Sequence, residues 1–153
     1  MSLKHGATIK MRIEEIIKSL PNGFHDAELK SINLDYLEKK AVLFLDIWTG
    51  DLTSHDTGLR ETYKAGILEI EKFLFFSIEA PDQRYEFPAN GSVTIDLWPL
   101  DLLKDKLKGE LFQSITKIIE TLPKEIFSAW IYVSNWNAFI YFAASNAAFR
   151  WVD

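Results

Sequence analysis

The sequence predicts one α+β domain: a mainly antiparallel sheet of about seven strands with two main helices packed on one face. Three observations predict it. Two segments repeat apolar residues at helical spacing, Ile13-Ile16-Ile17-Leu20 and Leu111-Ile115-Ile118-Ile119-Leu122. Between and after them lie alternating or continuously apolar runs, of which Val93-Thr94-Ile95-Asp96-Leu97 is the clearest. Aromatics supply 14% of the chain, a composition that favours strands and a large buried area. At 153 residues, the chain is read as a single domain with room for a real core, no weight being placed on residues 1–7.

The first helix is expected over Ile9–Leu20, with Thr8 as its N-cap. Glu14 and Glu15 come early and Lys18 late, the favourable order for the helix dipole. Pro21 and Asn22-Gly23 stop it. Strand one is expected over Ala27–Tyr36, where Ile32, Leu34 and Tyr36 alternate with polar residues. Leu29 is out of phase with them, which calls for a bulge near Lys30. After the polar turn Glu38-Lys39-Lys40, strand two, Ala41–Trp48, is almost wholly apolar and reads as covered on both faces. Asp46 interrupts it on the face shared with Phe44 and Trp48.

Gly50–Arg60 reads as a polar loop. Strand three is expected over Tyr63–Glu79, broken near Glu71-Lys72, with Leu68, Ile70, Leu74, Phe76 and Ile78 in one phase. Ile67, Ile70, Leu74 and Ile78 also form a helical stripe; the Phe and Ile content and Gly66 favour the strand. Pro81–Asn90 is a loop, Ser92–Trp98 is strand four, and Pro99 ends it. A short helical segment is expected over Leu100–Lys108 and the second main helix over Glu110–Leu122.

Ile126–Phe149 carries no charge and is long enough for a membrane span. Ser134, Asn135 and Asn137 would then sit in mid-bilayer, and Asn135-Trp136-Asn137 is a turn signal, so no membrane segment is assigned. The region reads instead as a three-strand meander, Ile126–Ser134, Ala138–Ala144 and Ala147–Trp151, with a second turn at Ser145-Asn146. A meander without charged residues needs cover from a helix or a partner subunit, hence an expected homodimer. No secretory signal is visible, and a cytoplasmic location is expected.

Several chemistries are excluded. The net charge of -5, with no concentrated basic face, excludes a nucleic-acid backbone binder. Lys104, Lys106 and Lys108 read as a solvated helix face. Absence of cysteine excludes disulfides, thiol catalysis and Cys-based zinc sites. No Gly-x-Ser-x-Gly elbow and no phosphate-cradling glycine loop is present.

What remains is two His-Asp pairs, His25-Asp26 and His55-Asp56. Imidazole and carboxylate suit zinc or manganese, and any metal site would use these four residues. The three histidines, His5, His25 and His55, are too few for a His-Asp phosphohydrolase. Adjacent strand residues diverge, so His25 and Asp26 converge only where the backbone turns. The other reading of this pair is a turn lock: Asp26 accepting backbone N–H groups, His25 bonding a carbonyl or carboxylate, and Phe24 anchored in the core. A near-repeat supports a structural role. Ile13–Pro21 resembles Ile115–Pro123, each followed by Phe and Ala (Phe24 and Ala27, then Phe127 and Ala129), and only the first copy carries His-Asp.

The run from Leu20 to Leu29, Leu-Pro-Asn-Gly-Phe-His-Asp-Ala-Glu-Leu, then Ser31–Asp35 and Leu43–Asp46, resembles small bacterial proteins with a Phe-His-Asp-Ala start before their first hairpin. Some of those are similar to predicted immunity proteins of polymorphic toxin systems. The resemblance covers Leu20–Trp48 and marks Phe24, His25, Asp26 and Ala27. It implies a bacterial, cytoplasmic α+β domain with no established activity. The expected function is a non-enzymatic interaction protein, one version being toxin neutralisation, with an acidic surface suited to a basic nuclease toxin. Binding residues would come from Phe24, His25, Asp26, Asp46, Trp48, His55 and Asp56, with no catalytic residue and no cofactor. The competing class is a small metal-dependent hydrolase built on the His-Asp pairs.

Overall fold

A strand with one apolar face must bury it, and a short antiparallel sheet can do so by curling until its edges meet. The computed structural model, which describes residues 11–84, 91–100 and 109–153, shows this solution. The elements run α1 (Ile13–Ser19), β1 (Pro21–Phe24), β2 (Ala27–Asp35), β3 (Lys40–Trp48), α2 (Thr57–Arg60), β4 (Tyr63–Ile78), β5 (Val93–Pro99), α3 (Glu110–Ile119), β6 (Phe127–Val133) and β7 (Ala138–Trp151). Strands β2, β3, β4, β7, β6 and β5 pair antiparallel in that order and close into a barrel. The mainly antiparallel α+β class is present. The expected seven-strand sheet is corrected to a six-strand barrel, with the short β1 outside the circuit.

Closure gives the sheet an inside and an outside, and this replaces the expected arrangement of two helices on one face. Ala41, Leu43, Leu45 and Ile47 of β3 are buried inside, with Leu68, Ile70, Ile95, Ile131, Ile140 and Phe142 from other strands. Ile13, Ile16 and Leu20 of the α1 segment join this interior cluster. Helix α3 packs on the outer face, where Ile115, Leu111, Phe112 and Ile119 meet Trp98, Trp130, Tyr132, Phe139 and Tyr141. The uncharged C-terminal strands are thus covered by a helix of their own chain. Burial of β3 alternates strictly, so the expected cover on both faces is corrected to a buried inner row and a half-buried outer row containing Phe44, Asp46 and Trp48.

Three irregularities set the phases. The β2–β3 register shifts between Leu29 and Ser31, which lets Leu29, Ile32 and Leu34 all pack against the interior. In β4, Lys72 has φ 55° and the register shifts between Phe73 and Phe75. The break expected near Glu71-Lys72 is therefore present, and beyond it Phe73 and Phe76 face the core while Leu74 and Ile78 are 48% and 51% exposed, against the phase expected to join them to Leu68, Ile70 and Phe76. The third lies in β7, a single strand through Ser145-Asn146, so the expected meander is a β6–β7 hairpin. Asn135–Asn137 does form the β6–β7 turn region.

The reason Ser145-Asn146 does not turn is visible in its partners. The inner row of β7 changes parity there, from Ala138, Ile140, Phe142 and Ala144 to Ala147 and Phe149. Asn146 is buried at 3% exposure. Its Oδ1 accepts from the Met11 N–H at 2.8 Å, and its Nδ2 donates to Glu71 at 2.8 Å. The Ala147 N–H donates to the Met11 carbonyl at 2.9 Å, tying the chain entering α1 across the strand. The amide that would have closed a turn is used to fasten the N-terminal segment instead.

The Thr8 cap, the Asp101–Lys108 part of the expected short helix and its lysines lie outside the described residues. Among the described residues α1 begins at Ile13, with Arg12 in the cap position and Glu15 Oε1 3.4 Å from the Arg12 N–H. No helix among the described residues is long and apolar enough to cross a membrane.

Asn146→Ala removes the acceptor of the part-buried Met11 N–H, and the expected loss is about 1–3 kcal/mol in urea unfolding. An unchanged midpoint would show that the N-terminal segment is not fastened there.

Candidate functional site

The site is built on the turn between β1 and β2. Asn22 ties β1 to the end of β3, its Nδ2 donating to the carbonyls of Trp48 at 3.2 Å and Gly50 at 2.9 Å. Phe24 is buried and meets Phe149 edge-on at 6.1 Å, so its side chain belongs to the core and not to a binding surface. Asp26 has φ 54°, a left-handed conformation that Asp tolerates better than most residues. The backbone therefore turns between His25 and Asp26, and their side chains converge.

His25 Nδ1 lies 2.7 Å from Asp96 Oδ1, and Nε2 lies 3.4 Å from Asp26 Oδ2. An imidazole hydrogen-bonded to one carboxylate, with a second carboxylate near its other nitrogen, is favoured as the cation, with Nδ1 donating to Asp96 and Asp26 acting through its charge. Accordingly the His25 pKa is raised above its ordinary 6.5, first by the hydrogen bond to Asp96 and then by the charges of Asp96 and Asp26, against the opposing effect of partial burial.

The position of this contact matters. Strands β2 and β5 close the barrel through only three residue pairs, Ala27↔Ile95, Glu28↔Thr94 and Leu29↔Val93, whereas β3 and β4 pair over nine. His25–Asp96 lies just past Ala27↔Ile95 and continues the seam with side chains.

Beside the turn, Asp26, Trp48, Leu52, Thr57, Arg60, Glu61 and Tyr63 line an open cleft of about 350 Å³. Trp48 and Tyr63 are cross-strand partners at the end of the β3–β4 pairing. The Trp48 indole N–H donates to the Arg60 carbonyl at 2.7 Å, and the Trp48 and His25 rings lie 6.0 Å apart. Gly50 allows the loop to close on itself: a Cβ there would come within 1.9 Å of the Arg60 carbonyl oxygen. Asp56 caps α2, accepting from the Gly58 N–H at 2.9 Å.

Of the residues singled out from sequence, His25, Asp26 and Trp48 come together. Asp46 is held apart in an ion pair with Lys30 at 3.1 Å, Lys30 also reaching Glu28 at 3.2 Å. His55 and Asp56 sit on the exposed loop. Among the described residues, the one group of three or more His and carboxylate side chains with ligand atoms within 4.8 Å of one another is His25, Asp26 and Asp96, which leaves out His55 and Asp56. Sequence reasoning missed Asp96 and Tyr63. Asp96 was visible as an outward polar residue of the cleanest strand, but nothing local shows that this strand lies beside the His25 turn.

The fold and site define a small closed antiparallel barrel with a charged latch at its shortest seam and an aromatic, acid-edged cleft beside it. Comparison with protein-family models, with curated proteins and with solved structures finds no match.

Because the His25 pKa is raised in the folded protein, its contribution is fully present below the unfolded value of 6.5 and is lost as pH rises through the folded value. The expected result is a gap in Tm between the wild type and Asp96→Asn that is widest at about pH 5.5 and narrows by about pH 9. A gap independent of pH would contradict a charged latch.

Proposed function

We propose that this chain is a non-enzymatic protein-binding domain of the immunity type, working in the cytoplasm, with the cleft face as its docking surface. The observation that carries this reading is the chemistry of that face. Tyr63 is 41% exposed, and the loop beside it holds Leu52 at 63% and Leu59 at 58% exposure. Large apolar and aromatic side chains standing at an open cleft are the composition of a protein interface. Asp26 and Glu61 line the same cleft, and the net charge is -5, which suits a basic partner such as a nuclease toxin. The resemblance over Leu20–Trp48 to small bacterial proteins, some of them similar to predicted immunity proteins, points the same way.

The metal-dependent hydrolase has one observation in its favour, the convergence of His25, Asp26 and Asp96. The geometry weighs against it. A metal needs a ring nitrogen with a free lone pair, and Nδ1 of His25 is already bonded to Asp96 at 2.7 Å, so a cation bound there would have to displace that hydrogen bond.

Affinity capture separates the two. Wild-type bait is expected to retain one specific protein from its native lysate, the product of a toxin gene adjacent to its own, and Leu52→Asp bait to lose it. Capture that survives Leu52→Asp, or manganese-dependent phosphoester hydrolysis abolished by His25→Ala, would contradict the proposal.

A further inference from the structure

We infer that the cleft receives the guanidinium group of an arginine presented by the protein partner; the inference rests on the docking role proposed above and names its chemistry. The cleft joins two kinds of group that together recognise a planar cation. Trp48 and Tyr63 stand across from each other on the outer face of β3 and β4. The indole N–H of Trp48 is already donated to the Arg60 carbonyl, so what the ring has left to offer is its π surface. Asp26 and Glu61 add carboxylates to the same wall.

The Asp26 carboxylate is only loosely engaged. Its contact with His25 Nε2 is 3.4 Å long and uses Oδ2 alone, while His25 makes its short bond to Asp96. The Tyr63 hydroxyl reports the local field: its pKa is raised by burial and then by the charges of Asp26, Glu28 and Glu61. Arg60 also lines the cleft and opposes a cation. His25 and Lys30 oppose it as well, but each is paired, His25 with Asp96 and Lys30 with Glu28 and Asp46; Asp26, Glu61, Glu28, Asp96 and Asp46 outnumber the three cations, so the balance is negative.

An arginine fits these features better than a lysine. Its flat guanidinium stacks on an aromatic face and offers paired N–H donors to a carboxylate, whereas an ammonium is a compact, strongly hydrated charge.

The test uses the whole protein and short uncharged peptides that carry a single arginine, lysine, glutamine or glutamate, with methylguanidinium alone as the minimal probe. Binding is followed by NMR shifts of the Trp48 indole and Tyr63 amide signals. The arginine peptide is expected to bind about tenfold more tightly than the glutamine peptide. Asp26→Asn, which keeps the left-handed turn accessible, and Glu61→Gln are each expected to weaken it several-fold. Equal binding of the arginine and glutamine peptides, a preference for lysine, or indifference to both substitutions would overturn the inference. So would selective binding of the glutamate peptide that is lost in Arg60→Gln. A partner captured through Leu52 that tolerates replacement of its contacting arginines would leave the docking face standing and remove the guanidinium from it.

Discussion

Everything in this structure depends on closing the sheet where it is least able to close. The β2–β5 seam has three residue pairs, and without it β2 and β5 would be two open edges over an apolar interior. The first of these pairs, Ala27↔Ile95, is buried, so the seam is knit from inside by packing and from outside by His25 and Asp96. The turn that carries His25 is itself tied to β3 through Asn22 and anchored through Phe24. One short segment therefore fixes the seam, the end of β3 and one wall of the cleft together.

The barrel divides its apolar residues by chemistry. Aliphatic side chains with a few phenylalanines fill the inside, with Ile13 and Ile16 of α1 among them. Trp98, Trp130, Tyr132 and Tyr141 collect on the outside over β5, β6 and β7, where α3 covers them, while Trp136 and Trp151 pack at the margin of the interior cluster. Trp48 and Tyr63 are outside too, but on the opposite part of the circuit, beside α2 and the Gly50–Arg60 loop. That uncovered aromatic pair is what directs attention to this face as a working surface.

The sequence made the local features legible and left the closure hidden. Leu29 falling out of phase located the β2 bulge, and the spacing of Phe44, Asp46 and Trp48 placed them on one face. Both main helical stripes were readable from their apolar period. Alternation describes the two faces of one strand and says nothing about which strand lies next to it, so neither the barrel nor the contact between His25 and Asp96, 71 positions apart, could be read off. Lys72 adopts a positive φ without being Gly, Asn or Asp; the polar pair Glu71-Lys72 marked a break in this strand, but not which residues beyond it turn to the core. Ser145-Asn146 is a fair turn signal that long-range hydrogen bonds to Met11 and Glu71 override. Tyr63 looked like an ordinary first strand residue until the cleft formed around it.

The central claim is that the His25 imidazole is a cationic latch between two carboxylates, and that this makes the His-Asp pair part of the frame beside the working face. Titration of the ring nitrogens by NMR addresses it most directly. The account predicts that His25 titrates above its ordinary 6.5, with both ring nitrogens carrying protons below that transition. A pKa at or below 6.5, or a ring nitrogen that stays unprotonated and shifts on addition of zinc or manganese, would contradict it.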